Sequence, residues 1–140
     1  MPLTFRYLNE RRGVACQASG ILTGDELIAA LTEINSPTVA ATRPIVYSFS
    51  DFSGVLGMEV SADQVHVLAN LAVGASRHMS VKRVAAIHAK DDLPFGLSRM
   101  YHTLIEPADW ETEIFRERAD AAAWIRERVA AKFGIRIEFE

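Results

Sequence analysis

The sequence predicts an α/β fold, one mixed β-sheet with about four packed helices, in a single domain spanning residues 1–140. Three observations carry this reading. The chain opens on a period-two apolar pattern broken by one polar turn. Short apolar runs rich in β-formers then alternate with longer stretches of helical spacing, and two of those stretches begin on capping-box signatures.

Leu3, Phe5 and Tyr7 alternate with Thr4, Arg6 and Leu8, Asn9 to Gly13 is a polar turn, and Val14 to Leu22 resumes as an extended apolar run. This pattern reads as a β-hairpin. Thr23-Gly-Asp-Glu26 matches a capping box, in which hydroxyl and carboxylate satisfy free backbone N–H groups at a helix start. It predicts a helix over 24–35 that buries Leu27, Ile28, Leu31 and Ile34 and stops at Asn35-Ser-Pro37. Ile45 to Phe49, introduced by Pro44, has the composition of an internal strand, and Ser50 to Gly57 reads as a Ser/Gly loop leaving its end. Ser61 and Gln64 repeat the capping-box spacing and predict a helix over 62–78.

Val84 to His88 is short and apolar, as a strand buried on both faces must be. Asp91-Asp-Leu-Pro94 starts a helix over 94–106, striped by Leu97, Met100, Tyr101, Leu104 and Ile105 and ended by Pro107. Glu111 to Phe115 is the last internal strand. Asp120 opens an alanine-rich helix over 119–133, with Ala122, Ile125, Val129 and Phe133 on one side and Gly134 as its C-cap. Ile135, Ile137 and Phe139 alternate with charged residues and read as a short terminal strand, an apolar row that a second copy would cover in a homodimer.

With 140 residues, 49% of them hydrophobic and 24% charged, the chain can bury a core, and intrinsic disorder is excluded. A formal charge of −3 leaves no basic excess to neutralise phosphates, which argues against nucleic acid as a partner. The single Cys16 cannot form an intrachain disulfide and suits a reducing cytoplasm. MPLTFRYLNERR does not read as a signal peptide, and the stretch Val65 to Ala75, broken by His66, Asn70 and Gly74, is too short and polar to span a membrane. The expected localisation is cytoplasmic.

Catalytic and cofactor motifs are missing from the pattern. His66 and His78 are followed at i+4 by Asn70 and Lys82, which are not a metal pair, and His88 and His102 read as core or surface histidines. Ser53-Gly54 lacks the first glycine of a nucleophile elbow. Gly54 and Gly57 precede no Lys-Ser/Thr, and Gly13 and Gly20 form no dinucleotide fingerprint. The expectation is a non-enzymatic domain without metal or cofactor. In open α/β sheets ligands sit beyond the carboxyl ends of strands, here Ser50 to Ser53, Lys90 to Asp92 and Arg116 to Arg118. The candidate ligand- or partner-binding residues are therefore Ser50, Asp51, Ser53, Lys90, Asp92, Arg99 and Arg116, the two arginines suiting a carboxylate or phosphate. Trp110, Trp124 and Phe115 fill core in the simpler reading and line an apolar pocket in the other.

Two stretches carry a family resemblance. Phe49-Ser-Asp-Phe-Ser-Gly-Val55 followed by Met58-Glu-Val-Ser-Ala62 is similar to the strand, loop and helix start that bear the regulatory serine in anti-sigma factor antagonists. Phe95-Gly-Leu-Ser-Arg-Met-Tyr101, with Trp110 and Ile114 to Ile125, is similar to the C-terminal half of uncharacterised bacterial SpoIIAA-like, or STAS-like, domain proteins. In order and length the whole chain resembles that group. The resemblance implies an interaction or regulatory domain that binds a protein partner, itself or a small ligand. It also places Ser61, in Glu59-Val-Ser-Ala62, where antagonists carry a phosphorylatable hydroxyl. By fold analogy it suggests an alternative, a small-molecule or lipid carrier with a cavity of several hundred cubic ångströms between sheet and helices, about the usual range of ligand sites.

Overall fold

The computed structural model describes residues 3–137. Five strands, β1 (Leu3–Leu8), β2 (Gly13–Thr23), β3 (Tyr47–Glu59), β4 (Val84–His88) and β5 (Glu111–Phe115), form one sheet in the order β1-β2-β3-β4-β5. β1 runs antiparallel to β2, and every other pair is parallel. The helices are α1 (Gly24–Ile34), α2 (Pro37–Thr42), α3 (Ala62–Ser76), α4 (Asp92–Leu104) and α5 (Arg118–Phe133), with a 3₁₀ turn at Glu106–Ala108.

The strand order fixes where the helices go. Each crossover from β2 to β5 steps to the next strand in the same direction, and right-handed crossovers then put their helices on one face of the sheet. α1 packs on α3 and α3 on α4 accordingly, whereas α5, which follows the last strand, lies against β3, β4 and β5. One core lies under α1 around Val14, Leu22, Leu27, Ile34 and Val55. A second lies under α5 around Tyr47, Phe49, Val84, Ile125 and Val129. Glu111 fastens α5 to β5 by accepting hydrogen bonds from Arg128 Nε at 2.8 Å and Lys132 Nζ at 3.0 Å, and the Arg128 bond holds its carboxyl below its ordinary range.

Both predicted capping boxes form. Thr23 Oγ1 accepts from the Glu26 N–H at 3.2 Å while Glu26 Oε1 accepts from the Thr23 N–H at 3.0 Å. Ser61 and Gln64 repeat the arrangement at 3.1 and 2.9 Å. Because β2 and β3 are parallel and end side by side, the two helix starts meet, and Gln64 Nε2 donates to Asp25 Oδ1 at 3.2 Å.

The structure corrects two expectations, a loop and a terminal strand. Ser50 to Gly57 is no loop. β3 continues to Glu59 because the long β2 offers a parallel partner as far as Thr23, and two register shifts near Ser19 and Gly20 absorb the small residues. α1 ends at Ile34 with Asn35 as its C-cap, where the Asn35-Ser-Pro37 stop places it, and Pro37 then occupies the first turn of a short extra helix, α2, where a missing N–H costs nothing. The four main helices agree with the expected bounds to within two residues, α3 ending at Ser76 and α4 starting at Asp92. Residues 134–137 form no strand; Ile135 and Ile137 bury their side chains in the core beneath α5, and Phe139 lies outside the described residues. These two isoleucines therefore do not present an apolar row to a second copy.

Ser61→Ala is expected to lower stability by about 0.5–2 kcal/mol in urea unfolding, the usual worth of an N-cap, and Ser61→Asp to retain it. Equal losses in the two variants would remove the cap as the cause.

Candidate functional site

Five of the predicted residues and their neighbours meet where β4 and β5 end. Asp51 stands opposite His88 in the β3–β4 ladder, and their side chains extend to the α5 face. His88 is buried, with Nδ1 3.0 Å from Asp51 Oδ1 and Nε2 3.2 Å from the Arg116 carbonyl oxygen. Both partners only accept, so a ring protonated on both nitrogens satisfies both contacts and a neutral ring leaves one unmade. Asp51 Oδ1 also accepts from the Ser53 N–H at 2.9 Å, and Asp51 Oδ2 lies 3.7 Å from Arg118 Nε. Arg116 Nη1 donates to Asp92 Oδ1 at 2.8 Å and to the Lys90 carbonyl at 3.1 Å, and its guanidinium sits 4.0 Å from the Phe95 ring centroid. The cluster thus joins Asp51, Ser53, Lys90, Asp92 and Arg116 largely through its own hydrogen bonds.

The other three candidates lie elsewhere. Ser50 faces the opposite side of the sheet and bonds to Cys16. Ser61 is exposed and caps α3. Arg99 is exposed on α4, where its carbonyl accepts from the Thr103 hydroxyl at 3.1 Å. The three aromatics do not share a pocket. Phe115 and Trp124 pair at 5.7 Å under α5, while Trp110 is buried on the side of α3.

Between the sheet and the helices α1, α3 and α4 lies a cavity of about 110 Å³, partly open to solvent. Its volume is below the several hundred cubic ångströms expected of a lipid carrier. Its walls are mostly apolar, with Arg83 at one end. Arg83 is 4% exposed, donates from Nε to the Ile45 carbonyl at 2.8 Å and from Nη1 to Asn35 Oδ1 at 2.7 Å, and lies 4.2 Å from the Trp110 ring centroid. Burial pushes this guanidinium down to about 10, the Cys16 thiol up to about 11 and the Tyr101 phenol up to about 12.

Sequence reasoning reads His88 as a core or surface histidine, reaches Arg118 only as the end of the strand-end range Arg116 to Arg118, and passes over Arg83. His88 and Asp51 are 37 positions apart, and Arg83 and Asn35 are 48. Only the strand register and the helix packing bring them together. One local signal is present, a cation directly before the apolar run Val84 to Ile87, a place from which a long side chain is drawn inward.

Asp51→Ala leaves the His88 Nδ1 and the Ser53 N–H without their acceptor, and a loss of about 1–3 kcal/mol is expected in urea unfolding. An unchanged midpoint would show that solvent replaces the carboxylate without cost. Raising the Cys16 thiol from 9.0 to about 11 leaves about a hundredfold less thiolate at pH 8, so native alkylation by iodoacetamide should run at least that much slower than in urea. Labelling at the rate of the unfolded chain would contradict the buried placement.

No protein-family model and no curated protein matches the sequence. Among solved structures, the chain is similar to an uncharacterized protein of the DUF3478 family with a SpoIIAA-like fold from Shewanella loihica PV-4. The identity is 16%, the match covers 87% of this chain and 92% of that one, and the TM-score is 0.55. No helix among the described residues is long and apolar enough to cross a membrane. The superposition spans nearly all of both chains, and this chain, with its single five-stranded mixed sheet and packed helices, has a SpoIIAA-like fold.

Proposed function

We propose that this chain is a non-enzymatic interaction domain, of the regulatory kind, that works by self-association through the outer face of its β2–β3 ribbon. The observation that carries the reading is how far these two strands outrun the sheet. Among the described residues, which begin at Leu3, β1 pairs with β2 as far as Ala18, and β4 pairs with β3 as far as Asp51. Beyond those points Ser19–Thr23 and Gly54–Glu59 run as a two-stranded ribbon. One face of it is buried on α1 and α3 through Leu22 and Val55. The other face lies beyond α5 and exposes Ile21 at 51% and Leu56 at 87%. Two-stranded pieces are marginal alone and gain from a covering layer.

A second copy is the occupant favoured here. Ser19, Gly20, Ile21, Gly54, Leu56 and Gly57 carry no charge, so two copies of a chain with net charge −3 meet there without like-charge repulsion, and a twofold contact is self-complementary. The strand-end cluster supports a binding role over a catalytic one. His88 and Asp51 have the spacing of a base and its orienting acid, yet the Nε2 that would serve a nucleophile is engaged by the Arg116 carbonyl.

Light scattering at tens of micromolar should give twice the 15.5 kDa chain mass, and Leu56→Glu should give the monomer with an unchanged thermal midpoint, because Leu56 is exposed in the single chain. A monomeric parent, or a Leu56→Glu variant that stays dimeric, would overturn the proposal. A heteromeric partner retained through Leu56 by a monomeric parent would transfer the same surface to another protein.

A further inference from the structure

The interior cavity poses a separate question, independent of self-association. Arg83 is almost fully buried, and the two groups that accept from it, the Ile45 carbonyl and the Asn35 amide oxygen, are neutral. Its Nη2 donates to no atom of the described residues, and no carboxylate lies within ion-pairing distance of it among them. The other ionisable groups of the cavity, Cys16 and Tyr101, are neutral at pH 7 even at their ordinary values, burial raises both further, and neither supplies a negative charge. A buried cation without a counter-charge is costly and persists in proteins chiefly where something compensates it. A second observation points the same way. The indole Nε1–H of Trp110, on the same cavity wall, is buried and has no acceptor among the described residues.

The remaining lining defines the rest of an occupant. Leu31, Ile34, Leu68, Ile87 and Leu97 present hydrocarbon. At about 110 Å³ the space is on the scale of the roughly 150 Å³ apolar cavities that admit a benzene-sized molecule, and it is too small for an acyl chain of lipid length. We propose that this cavity binds a small monocarboxylate with a compact apolar body, of the size of benzoate, whose carboxylate pairs with Arg83 while the body fills the space between the sheet and α4. A planar carboxylate matches the guanidinium fork, and its second oxygen lone pairs suit the Trp110 N–H. A neutral analogue of equal size fills the same space but leaves the charge uncompensated.

The test uses benzoate and its neutral isostere benzamide on the intact chain, by titration calorimetry and thermal shift. Benzoate is expected to bind saturably and at least about tenfold more tightly than benzamide, the preference that a charge-assisted hydrogen bond gives. Arg83→Gln should abolish that preference. Because this variant also loses the tie to Asn35 and can fail to fold, Ser98→Leu serves as a second, with the guanidinium intact and the cavity filled from α4, and should lose benzoate binding. In ¹H–¹⁵N spectra of the parent, assigned with Trp124→Phe, the Trp110 indole resonance should move downfield with benzoate and the Trp124 resonance should stay. The proposal is overturned if the parent binds no benzoate saturably, if benzamide binds as well, if Ser98→Leu retains the affinity, or if benzoate binds without moving the Trp110 resonance.

Discussion

The parallel ladder between β2 and β3 is the constraint on which the other features depend. It runs from Gly13 opposite Tyr47 to Thr23 opposite Glu59, more than twice the length of the β4 ladders on either side. Because its two strands end together, the N-termini of α1 and α3 emerge side by side and their capping boxes are bridged by the Gln64–Asp25 hydrogen bond. Because β4 stops pairing at Asp51 and no described residue of β1 pairs beyond Ala18, its far half is the exposed ribbon among the described residues. Its near half is the floor of the cavity on one face and carries Asp51 on the other. The close fit of the ladder shows at Gly13, where a Cβ would come within 2.2 Å of two Tyr47 ring atoms. Tyr47 is fully buried there and cannot move aside.

A monotonic strand order then separates two chemistries onto two faces. Right-handed crossovers stack α1, α3 and α4 on one side, and three helices over a twisted sheet leave an interior space that their side chains incompletely fill. The single α5 on the other side covers only β3 to β5. Before the register shifts, Tyr47, Phe49 and Asp51 of β3 and the even-numbered residues of β4 therefore face α5, which is why Asp51 and His88 belong to the polar cluster, whereas Ser50 and Ile87, one position away, belong to the cavity. A candidate set read along the chain as Ser50, Asp51 and Ser53 is split between the two faces by this alternation.

What was legible in the sequence was local. The capping boxes at Thr23 and Ser61, the strands Val84–His88 and Glu111–Phe115 and the C-cap at Gly134 follow from spacing within a few residues, and each forms. What was not legible depended on a distant partner. Ser50 to Gly57 has loop composition, and only the pairing offered by Gln17 to Thr23 turns it into strand. Ile135 and Ile137 have strand alternation, but burial beneath α5 is available to them without a ladder. The strand-end cluster was half legible, since topology pointed to Asp51, Lys90, Asp92 and Arg116. His88, the residue that ties Asp51 to β5, stood inside an apolar run with nothing nearby to mark it.

Arg83 shows why a charge is retained in such a place. Its guanidinium joins three elements: the segment before β3 through Ile45, the C-cap of α1 through Asn35, and the residue before β5 through the Trp110 ring. A lysine lacks the planar fork to reach both oxygens and to stack at once, and an apolar residue of equal length would leave the buried Asn35 side chain without its donor. The arrangement therefore has a structural benefit, but that benefit engages only Nε and Nη1. Two neutral acceptors and a ring face partly offset the desolvation of a full charge, and the outward side of the guanidinium is left to the cavity. A purely structural arginine is better served by a carboxylate at the Asn35 position, which would neutralise it and keep the same hydrogen bond. With an amide there instead, the fold holds its cation in place without cancelling it, and the positive charge remains for whatever enters the cavity.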